Sequence, residues 1–191
     1  GVAVVDRLSV YYDFAGFSNW TDWSVSENHG DFDAWLVRLS SKGHLLSQHC
    51  YGGTAFDDFI AIVRADAENL ILQGATQSND GDVRGNHGGT DSWAVKINPF
   101  GKIIWETTFG DTTEDNSSQN IAKTTDGNVV IEGYSYVASG IIGPKDSLFS
   151  FQTKLNSHTG NIIWSKNYHY PAERGGSWLF ATADGGTVET T

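Results

Sequence analysis

The sequence has no methionine, one cysteine and three prolines in 191 residues. A lone Cys50 excludes an internal disulfide framework and any zinc site built from several thiolates. Positive charge is scarce: 12 Lys and Arg stand against 23 Asp and Glu, a formal net charge of −11. No basic cluster exists to neutralise phosphate, so nucleic acid is not an expected partner, and an anionic membrane surface is a poor one. Apolar runs such as Val2–Val5 fall far short of the roughly 20 residues of a spanning helix, so no membrane insertion is expected. No basic segment leading into an apolar run opens the chain, as expected where a leader peptide is absent or removed.

Glycine and aromatic residues are plentiful: 22 Gly, with 13% Phe, Trp and Tyr. They recur with a period of 58. Asn28-His29-Gly30 matches Asn86-His87-Gly88, Trp35 matches Trp93 and then Phe151, and Gly43 matches Gly101. One inserted residue in Asn156–Gly160 places Trp105 against Trp164. Each period reads as four short strands, in the second copy Asp58–Arg64, Leu70–Gln77, Ser92–Asn98 and Lys102–Phe109. Turn signals such as Asp126-Gly127-Asn128 and Asn98-Pro99-Phe100-Gly101 separate them. A four-stranded unit repeated at this length predicts an all-β chain, a β-propeller of four-stranded antiparallel blades.

The units run over residues 1–57, 58–115, 116–175 and an incomplete 176–191, within a single repeat domain. That is about three and a half blades where closed rings have about four to eight. The reading therefore expects either a longer natural polypeptide or self-association of two copies through open blade edges.

Successive loops of a meander alternate between two ends. The loops Ser40–Gly43, Asp66–Asn69, Asn98–Gly101 and Asp126–Asn128 are tight; Asn19–Asp33, Gly52–Asp57, Ser78–Asp91 and Gly110–Ser117 are long, polar and acidic. Long loops on a rigid scaffold are where ligands bind. Asp80 and Asp82, two apart beside Asn79 and Asn86, offer hard oxygen donors for Ca²⁺; the same residue types also stabilise turns by themselves. Trp20 and Trp23, flanked by Asn19, Asp22, Asn28 and His29, form the candidate ligand site. Flat rings cover sugar C–H surface while amides and carboxylates hold hydroxyls, or else the rings pack beneath the loop as a small satellite core. The recurring His29 and His87 close a turn or cap a carbonyl. The period-locked Trp35, Trp93, Phe151, Trp105 and Trp164 are core positions, and Cys50 is a packed thiol.

The segment Ser78-Asn79-Asp80-Gly81-Asp82-Val83-Arg84-Gly85-Asn86-His87-Gly88-Gly89-Thr90-Asp91-Ser92-Trp93-Ala94-Val95-Lys96-Ile97 resembles the repeats of large secreted or surface β-propeller proteins of Bacteroidetes-type bacteria. The resemblance spans nearly the whole chain and implies a secreted or cell-surface location. The first copy departs at Trp20–Ser24 and the third at Val137–Lys145, so a ligand site shared by every blade is not implied. A looser similarity links Leu155–Trp164 to the blade-packing motif of quinoprotein propellers. No nucleophile elbow, zinc-protease helix or phosphate loop occurs. The expectation is a non-catalytic extracellular binding or adhesion module for a glycan or a protein. The alternative is part of a propeller enzyme, acting on polysaccharide or as a quinoprotein-like oxidoreductase.

Overall fold

The computed structural model describes residues 2–5, 11–20, 25, 27–110, 116–135, 149–169, 178–182 and 186–190. These residues form strands, turns and loops and no helix. The first sheet holds β1 (Val2–Val5), β2 (Tyr11–Ser18), β3 (Asp33–Ser40) and β4 (Leu45–Tyr51). The second holds β5 (Asp57–Arg64), β6 (Leu70–Thr76), β7 (Asp91–Ile97) and β8 (Ile103–Phe109). The third holds β9 (Asn116–Lys123), β10 (Val129–Ser135), β11 (Phe149–Leu155) and β12 (Ile162–His169). Strands β13 (Trp178–Ala181) and β14 (Thr187–Thr190) pair as a ribbon. Every pairing is antiparallel between chain neighbours, so each sheet is a simple meander.

Period-two alternation explains how the sheets stack. In β6 and β7, Leu70, Leu72, Trp93, Val95 and Ile97 point one way and join Ala15, Leu36 and Tyr51 of the first sheet. Ile71 and Ala94 point the other way and join Val129, Ile131, Phe151 and Leu155 of the third. Both faces of the second sheet are thus covered, which is why every residue of β6 and β7 is buried. The third sheet continues the pattern through Val130 and Ala122 against Leu179 of β13.

Polar contacts bind the first sheet to the second and the second to the third, in each case at the turn joining the third and fourth strands of the later sheet. Arg38 of β3, paired with buried Asp13 at 2.7 Å, also donates to the Pro99 carbonyl. Lys96 of β7 bridges Asp66 and the Ser157 carbonyl, each at 3.1 Å. The outer strands add Tyr51 Oη to the Gly101 carbonyl and Thr107 Oγ1 to the Gly160 carbonyl. A register shift follows Arg38, Lys96 and Lys154 alike, so a bulge sits beside the cation in all three sheets.

Candidate functional site

Meander connectivity gathers the long loops at one end of the sheets, and the loop joining β2 to β3 builds a pocket there. Strand β2 ends at Ser18, whose Oγ accepts the Trp20 N–H and whose carbonyl accepts from the Asn28 side-chain amide. Asn28 Oδ1 in turn accepts the Gly30 N–H. His29 donates its backbone N–H to Asp33 Oδ2 and places its Nδ1 at 2.6 Å from the same oxygen. The identical set recurs 58 residues later: Asn86 bonds the Thr76 carbonyl and the Gly88 N–H, and His87 closes onto Asp91. Both histidines close a five-residue turn onto a buried carboxylate.

The result is an open pocket of about 500 Å³ at the end of the first sheet. Its walls are mainly aromatic: Phe17, Trp20, Phe32 and Trp35, with Val25, Ser18 and Asn19 completing them. Trp20 is 62% exposed and Phe17 51% exposed. Phe17, Phe32 and Phe56 nevertheless form a three-ring cluster with centroids 5.7 to 5.9 Å apart, so two rings of the wall pack on each other and on Phe56. Trp35 is oriented by a hydrogen bond from its Nε1 to Gln48. The pocket therefore offers flat apolar surface with the Asn19 amide at its edge. Of the residues expected at this site, the structure brings Asn19 and Trp20 into the pocket and sets Asn28 and His29 in the turn beside it. Asp22 and Trp23 lie outside the described residues.

The expected calcium donors sit on the next long loop. Asp80 accepts the Thr54 N–H at 2.8 Å and its hydroxyl at 2.9 Å, and these bonds hold its carboxyl below the usual range. Asp82 accepts the Gly52 N–H and donates its own N–H to the Gly52 carbonyl. The two acids thus clasp the loop between β4 and β5. Glycine is required there: a Cβ on Gly53 would stand 2.1 Å from Asp80, and one on Gly81 2.3 Å from the Gly52 carbonyl. Asn79 is exposed, and Asn86 serves its turn. Among the described residues no three His, Cys, Asp or Glu side chains converge as metal ligands.

Two features escape sequence reasoning. Asp57, counted there among the acids of the loop end, is fully buried and accepts from Thr76 Oγ1, Ser78 Oγ and the Gly53 N–H. Burial pushes its pKa up against those bonds. Two of its partners, Thr76 and Ser78, lie 19 and 21 residues along the chain, so no local pattern marks its burial. A second, polar cleft of about 570 Å³ lies between the first two sheets, lined among others by Glu27, His29, His49, Tyr51, Asp82 and Lys102. His49 is solitary in the sequence, and only packing brings it to this cleft. Cys50 beside it is buried, its thiol pushed up to about 12 by burial.

No protein-family model matches the chain, and no curated protein matches it.

Proposed function

We propose that the chain is a non-catalytic binding or adhesion module, displayed outside the cell, that takes a glycan or protein ligand in the Trp20 pocket. The scaffold in this reading is a radial array of repeated four-stranded blades, a β-propeller. Front-to-back stacking of consecutive meanders and the contacts recurring at a spacing of 58 residues support that architecture. The observation that carries the binding role is Trp20, a large ring left 62% exposed in the wall of an aromatic pocket. Burying such a ring is worth about 1.5–3 kcal/mol, so leaving it in water makes sense where a ligand covers it. Sugars and protein side chains both fit: each brings apolar surface for the rings and polar groups for Asn19. The proposed location fits an acidic surface with a single buried thiol.

The test is a glycan array and a surface-protein panel screened with the chain and with Trp20→Ala. The reading expects a ligand that the substitution weakens by about tenfold or more, with the melting temperature unchanged because the ring is exposed. Ligand retention by Trp20→Ala would overturn it.

A further inference from the structure

The polar cleft of about 570 Å³ between the first two sheets contains a residue that the repeat does not account for. Glu27 has φ 75°, and among the described residues no other non-glycine lies in that left-handed region. At the matching position of the second copy stands Gly85, with the same φ of 75°. Such backbone strains a residue that carries a Cβ and suits glycine. The first copy thus keeps a strained glutamate where a glycine fits, which points to a use for its side chain.

That side chain lines the cleft, with Oε2 3.9 Å from His49 Nδ1, beyond hydrogen-bond reach. Among the described residues neither Glu27 nor His49 makes a side-chain hydrogen bond. The second copy closes the same place with its own bonds. Thr107 and Thr108, standing where the first copy has His49 and Cys50, donate to the Gly160 and Arg84 carbonyls.

His29 brings a further acceptor to the lining. Its Nδ1 lies 2.6 Å from Asp33 Oδ2, which in the neutral ring makes Nδ1 the donor and leaves the lone pair on Nε2. Asp82 is the second carboxylate of the lining, and Lys102 is its one cation. Two buried neighbours register the negative field. Burial, then Asp82 and Glu27, pushes the Tyr51 phenol up; burial, then Asp33 and Glu27, does the same to the Cys50 thiol. No three of the described acids, histidines and thiol converge as ligands of a single ion would. The arrangement suits a cation whose donors are spread over several atoms, as in the planar fork of a guanidinium and not in the point charge of an ammonium.

We propose that this cleft binds a guanidinium group, carried by a small free molecule or by an arginine side chain of a partner protein. Glu27 and Asp82 offset its charge, Glu27 accepts from its N–H groups, and His29 Nε2 accepts from another. The site is independent of the Trp20 pocket.

The probes are methylguanidinium, n-butylammonium and the blocked tripeptide acetyl-Gly-Arg-Gly-amide. Each is titrated into the intact chain and followed by the NMR shifts of the His49 ring and the Glu27 amide. Methylguanidinium should bind saturably, about tenfold more tightly than n-butylammonium. Tighter binding of the tripeptide supports a protein source for the group, and weaker binding supports a free guanidino compound. Glu27→Gln should weaken methylguanidinium by about tenfold. Glu27→Gly should weaken it as much while the melting temperature stays level or rises, because glycine relaxes that backbone. Several results overturn the proposal: no saturable shift at these residues, n-butylammonium binding as tightly, or either variant binding like the parent chain. So does a Glu27→Gly chain that melts distinctly lower, since the glutamate then serves the fold.

Discussion

Ionisable residues shape the pH response of this chain. Burial raises the pKa of Asp57, Asp58, Glu106 and, against its bonds from His29, Asp33. Between the ordinary aspartate value of 3.8 and the raised value, the folded state holds more protons than the unfolded chain. Stability therefore falls as pH climbs through that window and levels off above it. Asp66 and Asp126 act in the opposite sense. Burial works against Asp66, but bonds from Asn69, Glu68 and Lys96 hold it well below 3.8; Lys154, Thr124 and Asn128 do the same for Asp126. Their contribution is present above 3.8 and is lost as pH falls towards their depressed values. The melting temperature is expected to rise as pH falls through the raised values towards the ordinary carboxylate range, and to drop on further acidification below 3.8. A melting temperature that falls steadily from pH 7 would contradict this balance. Asp57→Ala leaves the hydroxyls of Thr76 and Ser78 and the Gly53 N–H without their acceptor. It should cost about 2–4 kcal/mol in urea unfolding, from several such losses together. Little of this was legible in the sequence, where Asp57 and Asp80 look alike: one is buried by β6 and the other stays at the surface.

Strands and turns were far more legible than single side chains. Alternation around Trp93 and Trp105 places β5 to β8 within a residue or so of where they lie, because period two tracks a pleated backbone directly. The bulges after Arg38, Lys96 and Lys154 were not legible, since a bulge depends on pairing with the neighbouring strand. Nor was the unequal role of three look-alike glycines. Gly43→Ala should cost only the strain of its backbone, about 1 kcal/mol. Gly101→Ala adds a collision with the His49 ring, which must swing aside, and should cost more than Gly43→Ala, by about 1 kcal/mol. Equal costs in chemical unfolding would deny that the sheets meet at this turn. The long loops make their own prediction. Asp80 and Asp82 are engaged with Thr54 and Gly52, so chelator or added Ca²⁺ should leave the melting temperature unchanged. A rise of several degrees with Ca²⁺ would show that these carboxylates hold an ion as well as the loop.

At the scale of the molecule, three meanders and a ribbon stack in chain order, each sharing an apolar layer with the next. The spacing of 58 in the sequence has a counterpart here, since Trp35, Trp93 and Phe151 hold equivalent places on β3, β7 and β11, each opposite a glycine of the second strand. It could not show how much of Trp20 stands in water, which depends on where Phe17, Val25 and Phe32 lie beside it. The most direct measurement of the stacking is a nuclear Overhauser experiment on labelled protein. It would look for proximity of the Gly101 α-protons to the His49 ring and of the Gly160 α-protons to the Trp105 indole. The account predicts both cross-peaks in one spectrum. Intact contacts within each sheet with both of these missing would show that the meanders do not pack in succession.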